Sequence, residues 1–140
     1  MRSLGKTLSK FMVVSALIMC MSLVAFADTE GYWQSFAVAL PAHQGDIEIG
    51  PVARANSNNT AGYFTITIRQ MQTGNAVRAW AENSSGGNLS SPYNFAYVGT
   101  QDIYYYNGSV PSAGTNVTLN LDNPYYSNST VSVLGSWTPN

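Results

Sequence analysis

Lysine occurs only at positions 6 and 10, cysteine only at position 20, and histidine only at position 43. Both lysines and the cysteine fall in an N-terminal stretch that reads as a secretory leader. Arg2, Lys6 and Lys10 come first, then an apolar run over 11–23, then Ala25-Phe26-Ala27 before the first acid, Asp28. The apolar run is shorter than the ~20 residues a spanning helix prefers. The small-x-small pattern places cleavage after Ala27. The sequence therefore predicts a signal-peptide helix over 1–27, a secreted product over 28–140, and no stable membrane anchor after cleavage. Met19, just before Cys20, is too large for a lipoprotein cleavage site.

Each scarcity excludes something from the exported part. Arg54, Arg69 and Arg78 stand against seven acids there, a net charge of −4. Three arginines and no lysine leave no electrostatic footprint for nucleic acid or anionic lipid. Without a cysteine in 28–140, neither a disulfide framework nor a thiol nucleophile is available. A cysteine-free export product also fits a Gram-positive bacterium. His43 follows Pro41 near a turn and reads as an exposed loop residue; with no Gly-x-Ser-x-Gly elbow, no serine is singled out to pair with it. Asp46 and Glu48, two residues apart, are the pair to weigh for glycoside hydrolysis. Their flanks predict an open edge, where such charges discourage aggregation. They are also too few for a calcium cage, and no EF-hand spacing occurs. The expectation is a protein that is not an enzyme, with no metal and no cofactor.

What the chain does contain is alternation. In Tyr63-Phe64-Thr65-Ile66-Thr67-Ile68-Arg69, Phe64, Ile66 and Ile68 share one face, the period of a half-buried strand. A second run, over 76–82, follows Gln72-Thr73-Gly74-Asn75, and the two together read as a β-hairpin. Further strands are expected over 33–40 and 47–54, the latter interrupted by Gly50-Pro51. Others are expected over 93–98, 102–106, 115–121 and 130–137. Val117, Leu119 and Leu121 should face inward, as should Val131, Val133, Gly135 and Trp137. Residues 83–88 read as an exposed loop and Asn107-Gly108 as a turn. Seven or eight short strands with frequent turn signals and no helix predict an all-β, antiparallel β-sandwich in one domain, with a small β-barrel as the alternative.

Aromatic residues are the main functional signal, since all nine tyrosines lie in 28–140. On a strand, Asp102, Tyr104 and Tyr106 point one way while Ile103 and Tyr105 point the other. Tyr125 and Tyr126, beside Asn123-Pro124, sit in a predicted loop. Rings flanked by amides and carboxylates suit a neutral glycan or a protein partner, because the ring gives area and the polar groups give direction. Tyr104, Tyr106, Tyr125, Tyr126 and Asp102 are thus the candidate ligand- or partner-binding residues. The Asn-x-Ser/Thr matches at Asn58, Asn83, Asn88, Asn107, Asn116 and Asn128 are what chance produces in a chain this rich in Asn, Ser and Thr.

Some segments also carry a family resemblance. Trp33 with Phe36, Gln44-Gly45, Arg54, the 66–80 segment, Gly114-Thr115-Asn116-Val117-Thr118-Leu119 and the closing Val131-Ser132-Val133-Leu134-Gly135-Ser136-Trp137-Thr138-Pro139-Asn140 resemble a family of small exported proteins of Gram-positive bacteria. These are uncharacterised or bacteriocin-like. Glu30-Gly31-Tyr32-Trp33-Gln34 is similar to the mature start of lactococcin-type bacteriocins, small β proteins that interfere with cell-wall synthesis in related bacteria. The resemblance implies a secreted, non-enzymatic, bacteriocin-like β protein acting at the bacterial surface on a cell-wall component, glycan or surface protein. A carbohydrate or surface-recognition module using exposed tyrosines is the second reading, and a secreted hydrolase the third.

Overall fold

The computed structural model describes residues 33–55, 62–126 and 128–140; the leader expected over 1–27 lies outside them. Eight strands follow in order: β1 (Gln34–Leu40), β2 (Asp46–Ala53), β3 (Tyr63–Met71), β4 (Val77–Asn83), β5 (Tyr93–Phe95), β6 (Gly99–Tyr104), β7 (Asn116–Asp122) and β8 (Val131–Thr138). They form two antiparallel four-stranded sheets, β1-β8-β3-β6 and β2-β7-β4-β5. Among the described residues each sheet keeps two unpaired edges, so the molecule is a sandwich and not a closed barrel.

The order has a simple origin. β1 pairs with β8, β2 with β7, β3 with β6 and β4 with β5, all antiparallel. The chain is therefore one long antiparallel ribbon folded back at the 83–87 turn, then rolled so that β8 also meets β3 and β7 also meets β4. That topology is the jelly roll. Its tip is well tied for a stretch that reads as flexible. The Asn83 side chain accepts from the amides of Ser85 and Gly87, both at 2.9 Å, and Gly86 takes the left-handed backbone a tight turn needs.

The alternating strands put their apolar sides together as expected. Phe64, Ile66, Ile68, Val117, Leu119, Leu121, Val131 and Trp137 are all buried in one core, with the small Ala79 and Ala81 on β4. The hairpin expected over 63–82 does not form. β3 and β4 lie in different sheets and share no pairing; the 72–75 turn, closed by Asn75 N–H donating to Gln72 O at 3.2 Å, carries the chain across the core. Facing layers stand ~10 Å apart, so a short turn can make either connection. The interruption at Gly50-Pro51 is a register shift within a single strand, β2. The strand expected over 93–98 stops at Phe95, because the chain there turns to join the other sheet.

Arg54 and Tyr105 close one end of the sandwich. The buried Arg54 guanidinium donates to the carbonyl of Pro111 and, through Nε, to the main-chain oxygen of Asn140 at 2.6 Å. It also sits 5.9 Å from the Tyr105 ring centroid, and the Tyr105 hydroxyl donates to Pro139 O at 3.0 Å. Burial pushes the Tyr105 phenol well above its ordinary value, an effect that Arg54 partly offsets. The folded chain therefore keeps that proton to higher pH than the unfolded chain does. The resulting stabilisation is complete below about pH 10 and is lost as pH rises further. Tyr105→Phe should flatten this alkaline branch while costing about 0.5–1.5 kcal/mol at neutral pH for the lost hydrogen bond. Denaturant midpoints measured across pH 7 to about 11 test this; an equally steep branch in the variant would contradict it.

Candidate functional site

Because strands alternate in direction, the connections β1–β2, β3–β4, β5–β6 and β7–β8 emerge together at one end of the roll. Side-chain contacts tie the first of these loops to the last. Gln44 Nε2 donates to Pro124 O at 2.9 Å, and the rings of His43 and Tyr126 lie 4.9 Å apart at 50°. His43 and Gln44 both have positive φ, which bends the first loop sharply and turns His43 outward. In the last loop, buried Asn123 accepts the Tyr125 amide at 3.0 Å through Oδ1. This local turn projects Tyr125 and Tyr126 into solvent, 56% and 72% exposed.

Between the loops lies a cleft of about 460 Å³ lined by Met71, Thr73, Gly74, Tyr97, Val98 and Tyr125, among others. Tyr97 is 82% exposed and Val98 more than half exposed. Among the described residues, no side chain lining this cleft carries a formal charge. It offers apolar and aromatic area with backbone and amide hydrogen-bonding groups, the chemistry of a site that holds a neutral ligand by shape and stacking.

The other sequence-derived candidates lie elsewhere. Asp102 and Tyr104 are on the outward side of β6, as the alternation indicates, with Ile103 and Tyr105 buried. Asp102 Oδ1 accepts from Thr65 Oγ1 at 2.7 Å, and Thr65 Oγ1 in turn accepts from Asn140 Nδ2 at 2.8 Å. Tyr104 is 70% exposed with its ring edge-on to Tyr63 at 5.6 Å. Tyr106, past the end of β6, is also exposed and lies near Ser91, at 3.5 Å between hydroxyls. At ~3.3 Å per strand residue, Tyr104 stands about 20 Å along the chain from Val98. The five candidates therefore form two surfaces, Tyr125 and Tyr126 at the loop end and Asp102, Tyr104 and Tyr106 on the opposite part of one sheet.

Tyr97, Val98 and His43 were not among those candidates. For Tyr97 the signal was Gly99 two residues later, a breaker inside what otherwise reads as one aromatic strand. No family model, curated protein or solved structure matches the chain. Architecture and surface together define its class: an eight-stranded jelly-roll sandwich with an uncharged aromatic cleft among the loops at one end.

Proposed function

We propose that this is a secreted, non-enzymatic binding protein that acts at the bacterial surface, gripping a cell-wall component, glycan or surface protein with its loop end. The observation that carries this reading is that Tyr97 and Tyr125, from two separate loops, line one cleft, with Tyr126 exposed next to Tyr125 and its ring against His43. Exposed rings cost solvation and invite aggregation, so three of them gathered at loop tips suit recognition better than packing. The bacteriocin-like form of this role rests on the sequence resemblance.

Binding energy in such surfaces concentrates in a few aromatic anchors worth about 2 kcal/mol or more each, roughly 30-fold in affinity. The triple variant Tyr97→Ala, Tyr125→Ala, Tyr126→Ala should lose at least about tenfold in retention on isolated cell walls while keeping its melting temperature. Tyr104→Ala with Tyr106→Ala should retain binding. Equal retention by wild type and the loop-end triple would remove the loop end from the function, and loss in the Tyr104/Tyr106 pair alone would move it to β6. Growth inhibition of related bacteria by the purified exported protein tests the bacteriocin-like form directly.

A further inference from the structure

We infer that the outer face of the β2-β7-β4-β5 sheet is a saccharide-binding site centred on Asn120 and Trp80. This face uses none of the loop-end tyrosines, so it stands or fails separately from the reading above.

Register builds the site. Asn120 on the central strand β7 lies directly opposite Glu48 on β2 and Trp80 on β4. Ile49, Leu119, Ala79 and Ala81 occupy the core, so alternation turns Glu48, Asn120 and Trp80 outward in one row. Directly opposed residues stand ~4.5–5.5 Å apart across each strand pair, so the row spans roughly the width of one or two sugar rings. The next row holds Asp46, Asp122 and Arg78, and Glu82 lies opposite Thr118 on the other side.

The deciding feature is the Asn120 carboxamide. It is fully buried, and neither Oδ1 nor Nδ2 has a hydrogen-bond partner. Its neighbours are committed to one another instead. Trp80 Nε1 donates to Glu82 Oε1 at 2.7 Å, which fixes the indole along its strand. Arg78 grips Asp122 through Nε, at 2.9 and 3.1 Å to the two oxygens, and through a closer terminal nitrogen contact. That hydrogen bonding raises the Arg78 pKa. A donor and an acceptor from the same amide are thus left for a group arriving from outside the sheet. An unpartnered buried amide is costly, and in a natural protein such a group calls for an explanation, of which a binding role is one.

The ligand chemistry follows from what surrounds the amide. A vicinal diol presents one donor and one acceptor on neighbouring carbons, matching a carboxamide in a single plane. The apolar face of a pyranose ring suits the partly exposed indole beside it. Asp46, Glu48, Glu82 and Asp122 outnumber Arg78, which is already bound, so phosphates and uronic acids are repelled. A quaternary ammonium would be served by the ring and carboxylates, but it has no acceptor for Asn120 Nδ2. The neutral sugar satisfies both ends of the amide. Asn120 has no exposed surface, so binding requires a neighbouring side chain to turn aside; Glu48, opposite it on the edge strand β2, is itself exposed.

The test is calorimetric titration of the purified protein with cellotriose, xylotriose, mannotriose and chitotriose, with trigalacturonic acid and choline chloride as charged probes. At least one neutral trisaccharide should bind saturably, and the charged probes should not. Trp80→Ala and Asn120→Leu should each weaken that binding at least tenfold. Asn120→Leu should melt at or above the wild-type temperature, an outcome that a purely structural asparagine would not give. If Asn120→Leu does not fold, Asn120→Thr, which suits a strand, takes its place in the titration. Absence of saturable heat with every neutral trisaccharide, binding of choline alone, or unchanged affinity in both variants would overturn the assignment.

Discussion

Trp137→Ala should lower the unfolding free energy by about 3–5 kcal/mol, a large share of the ~5–15 kcal/mol that holds a domain of this size together. Trp137 is fully buried near the end of β8, edge-on to Phe64 at 6.4 Å between centroids. Its indole also crosses between the sheets. A methyl group built on Gly50 in β2 would lie 3.5 Å from Trp137 Cζ2, so the ring reaches the backbone where β2 shifts register. Truncation would empty the space between the two layers, and β2 has no ready side chain to fill it. At about 4–8 °C per kcal/mol for a chain of this length, the melting temperature should fall by well over 10 °C. The indole N–H has no hydrogen-bond partner, so the whole effect comes from area and packing. Trp137→Phe should therefore recover most of the loss. A Phe variant as unstable as the Ala variant would show that the indole N–H is bound after all.

That expectation was within reach of the sequence, because Val131, Val133, Gly135 and Trp137 fall in phase. The same holds for Phe64, Ile66 and Ile68, and for the outward Asp102, Tyr104 and Tyr106. Facing is a local property, set by the two-residue period of a strand. Partnership is not. The 72–75 turn is a good turn, yet nothing within the 63–82 window says whether β4 lies beside β3 or across the core from it. The choice is made by β6 and β8, which take both sides of β3, and by β7, more than thirty residues on from β4. The site divides in the same way. Tyr125 and Tyr126 are visible as loop aromatics, whereas their meeting with His43 and Tyr97 depends on a ribbon that closes over 80 residues. Asn120 was hidden by the alternation itself, because an outward polar residue reads as exposed. It lies on a central strand, opposite Glu48 and Trp80, and is buried all the same.

Gly135→Ala should cost about 1–3 kcal/mol or somewhat more, the opposite of what the helix-free, strand-rich surroundings suggest, where alanine normally improves on glycine. Gly135 sits in β8 between Phe36 of β1 and Ile68 of β3. A Cβ there would come within 2.3 Å of the Thr67 carbonyl oxygen and 2.6 Å of Phe36 Cζ. The ring could turn aside only into a packed core, and the carbonyl belongs to the β3 backbone. The pairing of β3 with β8 shifts register between Ile68 and Gln70, just past this contact, so the irregularity and the missing side chain accommodate each other. Gly99→Ala is the matching control, since a Cβ there meets nothing within 4 Å, and its melting temperature should stay close to wild type. Adding Phe36→Leu to Gly135→Ala should recover the part of the loss due to the ring and none of the part due to the carbonyl, which separates the two by a double-mutant cycle. Beyond the shift, β3 ends at Met71, in the wall of the loop-end cleft. A displaced β3 should therefore weaken cell-wall retention along with stability. Full retention by a destabilised Gly135→Ala would mean that the cleft does not take its shape from β3.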